Sequence, residues 1–282
     1  MSESANLLGD YLRARRGLVT PEQAGIHSIG ARRVNGLRRE EVAMLAGISA
    51  DYYLRLERGR DRNPSAQVLR AIARVLHLDD DNVAYMLSLV ADTPRPPRRR
   101  RRAESAPEGI AALLDTMQQP AFVEGRYFDV LAANPMATAL SPRLAVGGNQ
   151  LRDVFLDPDP GFYADWDGMT ECYASGLRLA VGADIDDPRF IELVGELSLA
   201  STRFRELWSR HDVAAPRRAT LTFNHPEVGA VRLNREQLAI SGTDGMHIVI
   251  YHPDAGSGDA DKLALLGSSS LASAQQSDSS RR

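Results

Sequence analysis

Residues 38–60, RREEVAMLAGISADYYLRLERGR, decide how the N-terminal third of the chain folds. Val42, Leu45 and Ala46 recur at helical spacing and predict one apolar helix face. Gly47 supplies the permissive backbone at which that helix stops and the chain reverses. Ser49 is a suitable N-cap for a second helix, whose Tyr53 and Leu56 point to the core beside Ile48. The small Ala43 lets the two helices cross closely. Ser49, Ala50, Asp51, Leu54, Arg55 and Arg58 are left on the outer face. Two short amphipathic helices joined by a tight turn form a helix-turn-helix unit, which sets its second helix in the DNA major groove. DNA binding is expected.

Working outward, Leu7, Leu8, Tyr11 and Leu12 mark a first helix ending near Arg16. Residues 17–36 make a long connection with a turn at Thr20-Pro21-Glu22. Ser65 caps a fourth helix with Leu69, Ile72, Ala73 and Leu76 inward. Asp79 to Asp81 open a fifth, striped by Val83, Met86, Leu87 and Val90. Residues 1–92 therefore read as an all-α domain of five helices. TPRPPRRRRRAESA (93–106) is a Pro/Arg linker, either a solvated spacer or a strap along phosphates.

Residues 107–266 mix a helix at 108–118, strands in PAFVEGRYFDVLAAN, and helices near 161–181, 188–199 and 202–211. Antiparallel strands follow in LTFNHPEVGAVRL, QLAIS and MHIVIYH, then a small helix at 259–266. The Ser- and Ala-rich residues 267–282 are expected to be disordered. The pattern alone gives an α+β class.

The formal charge of −3 hides an asymmetry. Residues 1–102 carry 19 Lys+Arg against 12 Asp+Glu, a net +7, and residues 103–282 carry 15 against 25, a net −10. One half is suited to phosphate and the other is not. No apolar run reaches the roughly 20 residues of a membrane helix and no signal-peptide pattern stands at the N-terminus, so a cytoplasmic, nucleoid-associated protein is expected. The single Cys172 makes neither a disulfide nor a metal cluster. His211 and Asp212 diverge on a helix, and His225 before Pro226 suits a structural hydrogen bond. HExxH, CxxC and nucleophile motifs are missing, so no enzyme and no metal site is expected.

LRREEVAMLAGIS, DYYLRLERGRDRNPS and QVLRAIARVLHL carry a resemblance, over residues 7–91, to the helix-turn-helix domain of the xenobiotic-response-element (XRE), Cro/repressor-like regulators. LLDTMQQPAFVEGRYFDVLAAN, LSLASTRFRELWSRHDV and HPEVGAVRL resemble the MmyB-like ligand-binding domain that follows it in many bacterial regulators. The resemblance implies a five-helix Cro/repressor-like domain followed by a PAS-like α+β domain. It also implies a sequence-specific transcription regulator with no resident cofactor, sensing a small apolar or fatty-acid-like effector. Two departures stand out: Ala133 replaces a common Trp before Asn134, and Thr222 replaces a common Lys.

Carried onto this chain, Ser49, Ala50, Asp51 and Arg55 are base-edge candidates, with Asp51 alternatively a first-turn acid favouring the helix dipole. A bidentate Arg55–guanine contact is worth ~1–3 kcal/mol of discrimination. Arg38, Arg39, Arg58, Arg60 and Arg62 are phosphate candidates; Asn63 and Ser65 add neutral contacts, and Arg32 and Arg33 fill the same role more weakly. One module spans few base pairs, so a homodimer on a palindromic operator is expected, with half-sites ~34 Å apart. Phe122, Val130, Phe155, Trp166, Tyr173, Leu177, Phe204, Trp208, Phe223, Leu233 and Ile248 are either pocket lining or plain core. Arg178, Arg205 and His211 are the polar groups suited to a ligand carboxylate. The competing reading is a DNA-bound module that recruits a protein partner without a small molecule.

Overall fold

The computed structural model describes residues 6–26, 34, 36–61, 63–90, 104–156, 161–182, 184–214 and 219–279. Arg32, Arg33, Arg62 and most of the linker lie outside the described residues. The N-terminal region is helical: α1 (Leu7–Leu18), α2 (Arg39–Ala46), α3 (Ala50–Glu57), α4 (Ala66–Val75) and α5 (Asp80–Ser88). Local signals set these ends. Ser49 Oγ accepts from Tyr52 N at 3.1 Å, Ser65 Oγ from Val68 N and Asp79 Oδ1 from Asn82 N. Gly47 takes φ 70°. There Ile48 N donates to Ala43 O and Gly47 N to Met44 O, which satisfies the last carbonyls of α2. Helix α1 runs through Gly17 instead of ending near Arg16.

Tyr11, Leu12, Leu37, Val42, Tyr53, Leu56, Leu69, Ile72 and Met86 are sealed from solvent and form one core. Leu45 departs from expectation, being 41% exposed. The buried face of α2 is centred between Val42 and Ala43, and at ~100° per residue Leu45 falls off its flank. Glu57 is also in this core, with its carboxylate fully buried. It accepts from Arg16 Nε at 2.6 Å and Arg39 Nε at 2.5 Å, binding α1 and α2 to α3.

The C-terminal domain runs α6 (Glu108–Asp115), β1 (Ala121–Glu124), β2 (Val130–Ala133), α7 (Pro135–Leu140), a 3-10 turn at Pro142–Leu144, α8 (Gln150–Phe155) and α9 (Trp166–Val181). Then come α10 (Pro188–Ala200), α11 (Thr202–Ser209), β3 (Ala219–His225), β4 (Gly229–Ala239), β5 (His247–His252) and α12 (Gly258–Ser279). The strands pair antiparallel in the order β2-β1-β5-β4-β3. Side-chain alternation divides the sheet. Phe122, Val249 and Tyr251 face the helical core, while Ala121, Val123 and Ile248 face Leu114 of α6.

Asn134 joins several elements: its Nδ2 donates to Gln119 O at 2.8 Å and its Oδ1 accepts from Ala121 N and Ala137 N. His225 is structural as expected, with Nε2 3.1 Å from Ala139 O. Residues 267–279, expected to be disordered, instead continue α12, and Gly267 of that helix lies against Met136 of α7.

Burial pushes the Glu57 carboxyl up, but the hydrogen bonds from Arg16 and Arg39 outweigh it and hold the group below its ordinary value. A depressed folded-state value stabilises above the unfolded carboxylate range, near ~4.3. That contribution is lost as pH falls through the folded-state value. Glu57→Gln should therefore cost about 3 kcal/mol at neutral pH. Urea unfolding followed down the acid limb should show a shallower loss of stability for the variant than for the parent chain.

Candidate functional site

Two places carry chemistry. The first is the outer face of α3. Ser49, Ala50, Asp51, Arg55, Arg58 and Arg60 are exposed together at and beyond its ends, with Arg38, Asn63 and Ser65 exposed on the adjoining turns. The geometry refines three of the expected roles. Arg55 Nη1 donates to Asp51 Oδ2 one helical turn away, and the Arg55 guanidinium lies 5.5 Å from the centre of the Tyr52 ring. Asp51 thus orients Arg55 as well as standing at the positive end of the helix. Arg39 is anchored to Glu57 and keeps 42% of its side chain exposed, so its first task is internal.

The second place is a cavity of about 250 Å³ between α9 and strands β3 and β4. Its walls are mostly apolar: Phe128, Met169, Leu221 and the Tyr163 and Tyr173 rings. Phe128 holds φ 66°, a left-handed conformation costly for a residue with a side chain. Its ring meets Tyr173 edge-on at 5.4 Å and passes over Gly176. A Cβ at Gly176 would lie 3.3 Å from the tip of that ring, so glycine lets Phe128 reach the wall.

One cation reaches this apolar space. Arg235 of β4 lines the cavity, and its Nη2 donates to Glu124 Oε1 at 3.1 Å. Gln237 Nε2 donates to the same oxygen at 3.2 Å. Both charged side chains are nearly sealed, at 9% and 2% exposed. Burial pulls the Arg235 guanidinium down, but the neighbouring Glu124 carboxylate more than offsets it and the group is held charged. Cys172, an exposed residue of α9, also lines the cavity. Arg235, Phe128, Met169 and Leu221 were not singled out in the sequence. An arginine at an inward strand position among apolar neighbours was the available signal for the first.

Of the residues expected to line a pocket, Tyr173 does so. Phe122, Val130, Phe155, Leu177, Phe204, Phe223 and Leu233 are core, with Phe155 edge-on to Phe204 at 5.1 Å and Phe223 against Tyr251 at 5.3 Å. Trp166 Nε1 donates to Val154 O at 3.1 Å, and Ile248 lies on the opposite sheet face. Arg205 is exposed and donates to Ser198 O and Thr202 Oγ1, bracing the turn between α10 and α11. Arg178, Trp208 and His211 do come together, but against the N-terminal region rather than at this cavity.

Among the described residues no helix is long and apolar enough to cross a membrane, and no group of His, Cys, Asp and Glu is arranged to hold a metal ion. A helix-turn-helix domain model matches residues 7–86. The model of the MmyB-like transcription regulator ligand binding domain matches residues 106–266, more than half of the chain. No individually curated protein matches at a significant level.

The Arg235–Glu124 pair generates a test of the site's electrostatics. Arg235→Met alone strands a buried carboxylate and should cost about 3–5 kcal/mol. Combining it with Glu124→Gln should recover most of that loss, as denaturant midpoints of the three variants would show.

Proposed function

The chain belongs to the family of MmyB-like transcription regulators, and on that premise we propose that α3 reads base edges in the major groove while the α9 cavity takes a small, largely apolar effector. The observation that carries the first half is the exposed face of α3, with Ser49, Ala50 and Asp51 at its start and Arg55 one turn further on. In this reading Arg55 exchanges Asp51 for the two acceptors of a guanine. Arg38, Arg58, Arg60 and Arg62 hold phosphates, with Asn63 and Ser65 as neutral partners and the outer edge of Arg39 as an auxiliary one. The +7 charge of residues 1–102 adds a field that draws in DNA of any sequence. The protein acts as a cytoplasmic homodimer on a palindromic operator, which gives two recognition helices the area one lacks.

The second half rests on the cavity's make-up: mostly apolar walls with Thr220, Thr222 and Asp165 among the lining and Arg235 as its one guanidinium. Sites for small molecules commonly combine an apolar lining with a few placed polar groups, in volumes of roughly 300–1,000 Å³. At about 250 Å³ this cavity suits a compact effector. A short fatty-acid-like molecule would lay its chain along Phe128 and Met169 and turn its carboxylate to Arg235, in competition with Glu124. A cavity of this size also favours the sensor over a module that only recruits protein, for which a filled interior would serve. Both matched families are regulatory, which supports a regulator that is not an enzyme.

Two measurements test the halves separately. Arg55→Ala should lose ~1–3 kcal/mol of discrimination at one base pair. Arg60→Ala should weaken operator and random DNA alike, as read in titrations at fixed salt; equal losses on both DNAs for Arg55→Ala would remove the base-reading role. Native mass spectrometry of the purified chain with organic extraction should yield a stoichiometric amphiphile. A chain that carries none and takes up none from a panel of short fatty acids would remove the effector assignment and leave DNA binding untouched.

A further inference from the structure

Helix α9 serves two sites on different sides. Met169, Cys172, Tyr173 and Gly176 line the cavity. Arg178, about 200° around the helix from Gly176, points away from it. Its Nη2 donates to Trp208 O at 2.5 Å and its Nη1 to His211 Nδ1 at 3.1 Å. The guanidinium lies 3.8 Å over the Trp208 ring, and its charge acts on the buried Tyr85 hydroxyl of α5. Next to it on α9, Leu179 packs against the N-terminal core.

The segment after α11 reinforces the same junction. His211 takes φ 54°, which turns the chain sharply. Asp212 then pairs with Arg15 of α1 and with Arg210. Val213 is 2% exposed and is part of the N-terminal core. Its carbonyl accepts from Asn82 Nδ2 at 3.0 Å, and Asn82 Oδ1 accepts from Tyr11 OH at 2.7 Å. A continuous chain of contacts therefore runs from the cavity wall along α9 to α5 and α1. The base-reading face of α3 takes no part in it.

We infer that this junction, Arg178 with Tyr85 and His211 and with Val213 seated in the N-terminal core, is a latch through which filling the α9 cavity loosens the DNA-binding region from the C-terminal domain. The inference rests on the reading of the cavity as an effector site and adds the route by which occupancy is transmitted. The physical ground is the narrow tolerance of the junction. A displacement of α9 by about 1 Å takes the 3.1 Å bond from Arg178 to His211 outside bonding range and frees the segment whose Asp212 and Val213 hold the N-terminal region. Buried polar contacts of this kind hold fully or fail together. An effector has leverage only through unequal affinity for the latched and loosened states, and a filler that pushes on α9 has that inequality by construction.

Cys172, the one cysteine in the sequence, lines the cavity and is exposed to reagent, so a covalent adduct can be placed at the cavity wall. The full chain is alkylated with N-ethylmaleimide, single modification is confirmed by intact mass, and amide hydrogen exchange is read by peptide; Cys172→Phe is run in parallel. Filling should raise exchange in α5 and in the Val213 segment about tenfold, equivalent to roughly 1.4 kcal/mol of lost docking free energy. Arg178→Met, and the milder Tyr85→Phe, should raise it without filling and should abolish the further response. Unchanged exchange in α5 and α1, in a singly modified chain whose α9 amides do respond, would overturn the latch. Native mass spectrometry with sodium decanoate separates this from the effector reading. Release by the adduct without decanoate uptake keeps the latch and removes that effector chemistry. Decanoate uptake with an unresponsive α5 in the filled chain keeps the sensor and removes the latch.

Discussion

Helix α9 has to satisfy three environments at once, and the arrangement of the whole chain follows from how it does so. Met169, Tyr173 and Leu177 are buried in the C-terminal core, Gly176 yields space to Phe128, and Arg178 and Leu179 turn to the N-terminal region. A straight helix gives each residue one direction only, so its sixteen residues divide among these tasks by angle rather than by position along the axis. Such a helix is hard to replace piecemeal, because each side presents a different chemistry to a different neighbour.

Charge is handled in the two regions by the same device with opposite exposure. Glu57 and Glu124 are both sealed carboxylates held by arginines, Arg16 and Arg39 in one case and Arg235 in the other. Around Glu57 the pairing ties three helices together, and one of its arginines still reaches solvent. Around Arg235 the pairing lies behind the cavity wall, and the guanidinium alone reaches the largely apolar lining. For buried pairs of this kind desolvation offsets much of the Coulombic gain, so losing one partner costs far more than the intact pair contributes.

The N-terminal region was legible because its determinants are local. Gly47, Ser49, Ser65 and Asp79 each fix a helix end within a few residues, and the spacing of Leu69, Ile72, Ala73 and Leu76 shows directly which side is inward. The helix-and-strand order of the C-terminal domain was legible for the same reason. The cavity was not. Its lining is gathered from α9, from β3 and β4, and from a turn residue, Phe128, whose place depends on a left-handed backbone that side-chain patterning does not announce. Arg178, Arg205 and His211 were expected together at a ligand carboxylate; Arg178 and His211 meet beside Trp208 and Arg205 does not, because hydrophobicity cannot say which neighbour a helix side will meet. Residues 267–279 misled through composition: serine and alanine suggest disorder, whereas nothing in that run forbids a helix once α12 is anchored at Leu263 and Leu266.

The Asp51–Arg55 pair changes what sequence selectivity means on the proposed recognition helix. A free arginine accepts any anion that comes near, including every phosphate along a duplex. An arginine already held by a carboxylate one turn away must give up that partner first. Only a contact with two well-placed acceptors repays the exchange in full. Under the proposed docking, Asp51 would act as a resident competitor, lowering affinity least where the base edge fits. The residue least suited to a polyanion becomes a means of suppressing the wrong sequences, selectivity gained by subtraction.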